Sequence, residues 1–81
     1  MQSEFTKEQA WNDFYAWIRE QDTWKAMSRS EKIKTGIYEA NAANKGLRDH
    51  ALGWERLRRI LTTYAPGRYE FREVVILKED K

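Results

Sequence analysis

The sequence predicts a mainly α domain, three helices around an aromatic core with a C-terminal β-strand or hairpin. Three observations carry that reading. Residues 7–20, 28–44 and 53–64 repeat apolar side chains at helical spacing, about 100° per residue. Four Trp, four Tyr and three Phe in 81 residues supply the bulk with which so short a chain fills a core. The one run with strand character, residues 68–78, follows the helix-breaking turn Ala65-Pro66-Gly67.

At 81 residues the chain is long enough for one domain and too short for two. An apolar fraction of 41% places its 35% charged residues on the surface of a folded protein rather than in a disordered one.

The first helix begins at Thr6, which with Gln9 forms a capping box, and runs to about Glu20. Ala10, Trp11, Phe14, Tyr15, Trp17 and Ile18 share its apolar face, opposite Glu8, Gln9, Asn12, Asp13, Arg19 and Glu20. Aromatics at this spacing read as core rather than as a platform for stacked bases. Residues 21–27 form a connection with a helical turn after Asp22, and Trp24 and Met27 cover one end of the core.

Ser28 and Glu31 make a second capping box, which opens a helix to about Asn44. Its stripe of Ile33, Gly36, Ile37, Ala40 and Ala43 is narrow, so a neighbour must pack close against it. Gly36, in mid-helix, is read either as a point of close helix approach or as an incidental glycine. Gly46 then stops the helix, and residues 47–52 are a linker in which Asp49 caps a short turn.

The third helix, residues 53–64, puts Trp54, Leu57, Ile60, Leu61 and Tyr64 on one side and Glu55, Arg56, Arg58, Arg59, Thr62 and Thr63 on the other. In the strand region, Tyr69, Phe71, Val75 and Leu77 share a face, and the run Val74-Val75-Ile76-Leu77 is apolar on both. A lone strand leaves backbone donors and acceptors unpaired, so this one needs a partner. Residues 1–5 look too short and polar, and a tight hairpin at Arg72-Glu73 lacks the favoured Asn or Gly. Pairing of two copies through the strand that starts at Arg68 and ends at Lys78 is therefore expected, giving a homodimer about a twofold axis.

Composition excludes much chemistry. Without Cys there is no disulfide, thiolate metal site or cysteine nucleophile, which fits a reducing, cytoplasmic setting. The single His50, next to Asp49 in a linker, has no second His or nucleophile to work with and reads as a surface residue. The carboxylates scatter over separate helix faces, and no glycine-rich loop follows a strand. No enzyme, cofactor or metal is expected. Apolar runs of at most five residues are too short to cross a membrane, and residues 1–5 lack the pattern of a signal peptide.

Charge is the one concentrated signal. Residues 1–27 hold three Lys/Arg against five Asp/Glu, whereas residues 45–68 alone hold six against two. Lys45, Arg48, Arg56, Arg58, Arg59 and Arg68, with the hydroxyl of Thr63, are thus the candidate contacts to the phosphates or groove of duplex DNA. The order helix, helix, turn, basic helix and strand over residues 28–78 resembles the layout of a winged helix-turn-helix domain. That resemblance implies a small DNA-binding protein, although the connection over residues 45–52 is longer than the usual turn and only one strand is visible. The alternative is a protein-interaction module, a small adaptor or inhibitor that docks through exposed aromatics and arginines, Trp24, Trp54 and Tyr69 being more aromatic bulk than a small core needs.

Overall fold

The computed structural model describes residues 3–47 and 50–78. Among them five helices and three short strands follow in the order β1 (Ser3–Phe5), α1 (Lys7–Ile18), α2 (Asp22–Ala26), α3 (Arg29–Lys34), α4 (Ile37–Asn44), α5 (Trp54–Tyr64), β2 (Tyr69–Phe71) and β3 (Val75–Leu77). The molecule is mainly helical, as its periodicity requires, and carries one small antiparallel sheet.

Both capping boxes form. The Thr6 hydroxyl accepts from the Gln9 N–H at 3.2 Å and the Gln9 side chain accepts from the Thr6 N–H at 3.0 Å. Ser28 and Glu31 exchange the same pair at 3.1 and 2.7 Å. These bonds satisfy donors that every helix start leaves open, which is why local sequence alone places the starts.

The long helix expected over residues 28–44 is two helices. Gly36 sits at φ +80°, a left-handed conformation that ends α3, and its carbonyl then accepts from Ala40 N to open α4. A side chain added at Gly36 would meet nothing within 4 Å, so glycine is there for backbone conformation and not for close helix approach. The break rotates Ile33 away from the core. Ile37, Ala40 and Ala43 stay buried.

One hydrophobic cluster joins the elements. Trp11, Phe14, Ile37, Leu52, Leu57, Leu61 and Val75 are its largest fully buried side chains. Tyr15 and Trp17 pack against its edge. The indole N–H of Trp11 donates to Asn41 Oδ1 at 2.9 Å, which settles the polar atom of a buried ring and pins α1 to α4.

The sheet has the order β1-β3-β2, so β3 is central and both its neighbours are in the same chain. Phe5 and Phe71 lie opposite Val75, while Ser3 and Tyr69 lie opposite Leu77. This removes the ground for pairing two copies through residues 68–78. Three residues at the N-terminus suffice to cover a strand that is itself three residues long. The chain also reverses over residues 72–74 in a three-residue loop, for which the Asn or Gly demanded by a two-residue turn is not required. The face of Tyr69, Phe71, Val75 and Leu77 survives the reversal because opposed residues share a face.

Candidate nucleic-acid interface

α5 is placed by its apolar stripe. Leu57, Ile60 and Leu61 are buried and Tyr64 packs against the core, leaving Glu55, Arg58, Arg59, Thr62 and Thr63 exposed along the opposite side. Pro66 at the second and Gly67 (φ +80°) at the third position of the turn bring Arg68 N onto Ala65 O at 3.1 Å. That turn sends the chain directly into the β2–β3 hairpin alongside α5. Trp54, expected on the apolar face, is 41% exposed at the first helical position, with Lys7 Nζ 6.0 Å from its ring centroid. A residue so near the helix start lies at the end of the seam that Leu57, Ile60 and Leu61 bury.

The seven candidate contacts do not form one uniform patch. Arg58 and Arg59 are exposed on the outer face of α5. Arg58 leans over the hairpin, its guanidinium carbon 5.8 Å from the Phe71 ring centroid, in reach of a cation–π contact. Next in sequence, Arg72 is exposed at the hairpin loop and held by Glu70 at 2.6 Å. The hairpin thus brings Arg72 beside the arginines of α5, together with the carboxylates of Glu70 and Glu73. Thr63 lies on the same side of α5 as those arginines, but its hydroxyl donates to Arg59 O at 2.7 Å, so it must break that bond to donate to a phosphate.

Arg56 turns toward α4 and donates to Glu39 Oε1 at 2.7 Å. Lys45 is exposed one helix away, at the C-terminal cap of α4, where a cation also favours the helix dipole. Arg48 and Asp49 lie outside the described residues. His50 is exposed.

Arg68 is committed to an intramolecular cluster. Its guanidinium stacks 4.8 Å from the Trp17 ring, its Nε donates to the Tyr69 hydroxyl at 3.2 Å, and a terminal nitrogen lies 3.6 Å from Asp13 Oδ2. The Tyr69 hydroxyl in turn donates to Asp13 Oδ2 at 2.6 Å. Burial foremost, and then this bond to a carboxylate, push the Tyr69 hydroxyl well above its ordinary pKa of about 10. The cluster ties β2 to α1 across 56 positions of sequence, and no local pattern announces it.

Two features escaped the sequence reading. Arg72, within the strand expected over residues 68–78, lies in the loop between β2 and β3, beside the basic helix. Ile33 and Tyr38 are exposed to 55% and 41% and line an open groove of about 380 Å³ with Gly36, Glu39 and Ala42. The signal for that groove was Gly36, read as packing instead of as a break. Among the described residues no group of three or more His, Asp or Glu is placed to hold a metal ion, and no helix is long and apolar enough to cross a membrane. Searches of known protein families, curated proteins and solved structures find no match to this chain.

Proposed function

We propose that this protein binds duplex DNA without catalysing a reaction, in the manner of a winged helix-turn-helix domain. The outer face of α5 takes the place of the helix that meets the duplex, and the β2–β3 hairpin takes that of the wing. The observation that carries this reading is the approach of Arg58 to Phe71, which joins the exposed arginines of α5 to the hairpin in a single surface. Arg58, Arg59 and Arg72 are the contacts, with Lys45 as a more distant cation. Arg56 and Arg68, half-buried and engaged with Glu39 and Asp13, are not direct contacts, whereas Arg72, although paired with Glu70, keeps most of its side chain exposed.

The test is fluorescence anisotropy with a labelled duplex at two salt concentrations. About three phosphate contacts correspond to a slope near −2.7 in log K against log salt, or roughly a 40-fold loss of affinity between 50 and 200 mM. The double substitution Arg58→Ala/Arg59→Ala should remove most of that slope. Absence of binding at 50 mM salt overturns the reading.

A second reading, protein docking, has its own support. Ile33 and Tyr38 expose apolar surface in a groove that no other element of the described chain covers.

A further inference from the structure

The groove between α3 and α4 has a charge as well as a shape. Ile33, Tyr38 and Ala42 give it an apolar floor, and the Tyr38 ring is braced edge-on by the buried Trp24 at 5.6 Å. Lys32 lies over the other partner of that pair, its Nζ 5.5 Å from the Trp24 centroid. Arg29 precedes Ile33 by four residues and shares its helix face, and Lys34 is exposed at the last position of α3. Arg56 closes the α4 side through its bond to Glu39.

The two carboxylates nearby are both engaged. Glu31 accepts from the Ser28 N–H in the capping box, and Glu39 accepts from Arg56. Arg29 and Lys34 are exposed and Lys32 is half-buried over Trp24, so with Arg56 four cations stand near the groove against the two carboxylates of Glu31 and Glu39, an excess of positive charge beside its apolar floor. A second copy of the chain, bringing the same cations, would be repelled. An acidic segment with a few apolar side chains is complementary on both counts.

We propose that the α3–α4 groove docks an acidic amphipathic helix of another protein, its apolar side chains seated on Ile33, Tyr38 and Ala42 and its carboxylates meeting Arg29, Lys32 and Lys34. This rests on the protein-docking reading and is independent of DNA binding by α5. Gly36 matters here because the left-handed break turns Ile33 outward and opens the floor of the groove.

The probe is a synthetic helix of about 14 residues, leucine at i, i+3, i+4 and i+7 and glutamate elsewhere, titrated into isotope-labelled protein and followed by NMR. The expected result is a saturable shift of the amides of Ile33, Gly36, Tyr38 and Ala42 below about 1 mM peptide. Ile33→Ser should weaken it at least about tenfold, and Lys32→Glu/Lys34→Glu likewise, while Arg59→Ala leaves it unchanged. A counterpart with lysine for every glutamate separates the two levels of the claim. If it binds the same groove as well as the acidic peptide, docking stands and the acidic partner is overturned. If neither peptide shifts these residues by 1 mM, both fall. Shifts at these residues that follow protein concentration without peptide point to a second copy and also overturn the proposal.

Discussion

α3 and α5 carry the same charges and opposite anchorage. Each has three basic residues and one glutamate, yet α5 buries Leu57, Ile60 and Leu61 while α3 buries nothing. α5 is held along its whole length, so its arginines stand on a fixed surface and their spacing is set by the core beneath. α3 is held at its ends, by the Ser28 capping box and by the turn at Gly36, and its one large apolar side chain points to solvent. Net charge alone does not distinguish the two helices. What lies on the other side of each one does.

The largest test of that contrast is a pair of truncations. Leu57→Ala, in a side chain with no exposed surface, should destabilise the protein by about 2–5 kcal/mol. Ile33→Ala, the same kind of truncation on α3, should cost no more than about 0.5 kcal/mol. Urea denaturation of both variants measures the difference. Equal losses would mean that α3 is anchored in solution by a contact the structure does not contain.

A smaller effect is expected at the joint between α3 and α4. Gly36→Ala forces a Cβ into the left-handed region at a cost of about 1–2 kcal/mol, with no steric term added because the space around it is open. An unchanged stability would show that the two helices can straighten into one. The groove would then close, and binding of the acidic peptide should fall with it.

At the far end of α5, the Tyr69 cluster supplies a polar counterpart to the apolar seam. Tyr69→Phe leaves the ring and removes the bond to Asp13, a loss of about 0.5–1.5 kcal/mol at neutral pH. Because the folded-state pKa is raised, the unfolded tyrosine ionises first, near pH 10. The stabilisation from Tyr69 is complete below that pH and lost above it, by up to about 1.4 kcal/mol per pH unit. Wild type and variant should therefore converge between about pH 10 and 11. Parallel pH curves for the two would show that Tyr69 is not held protonated by its surroundings.

The legible parts of this fold were those decided within a few residues. Thr6 with Gln9, Ser28 with Glu31, the stop at Gly46 and the Pro66-Gly67 turn each act through neighbours in sequence, and each holds. The sheet was not legible, because Ser3–Phe5 has little strand character and becomes a strand only when β3 needs an edge covered. Gly36 misled for a related reason: a glycine at helical spacing is the same letter whether it permits close packing or ends a helix. The destinations of the arginines were also hidden. Arg56 finds Glu39 seventeen positions away and Arg68 finds Asp13 on α1, so the positive stretch of sequence is wider than the free cationic surface.

The smallest stability effect, and the sharpest functional one, belongs to Arg59. It is exposed on the outer face of α5 and makes no ion pair among the described residues, so Arg59→Ala should change stability by no more than about 0.5 kcal/mol. If α5 meets DNA phosphates, the same substitution should reduce the steepness of the salt dependence by about one unit, one contact fewer, and weaken binding to all duplex sequences alike. Lys34→Ala removes an equal charge from α3 and should leave that slope unchanged. Anisotropy titrations of the two variants against one duplex thus set the two basic helices side by side. Equal losses from both would mean that DNA responds to the overall charge of the protein, and that the fixed surface of α5 confers no site.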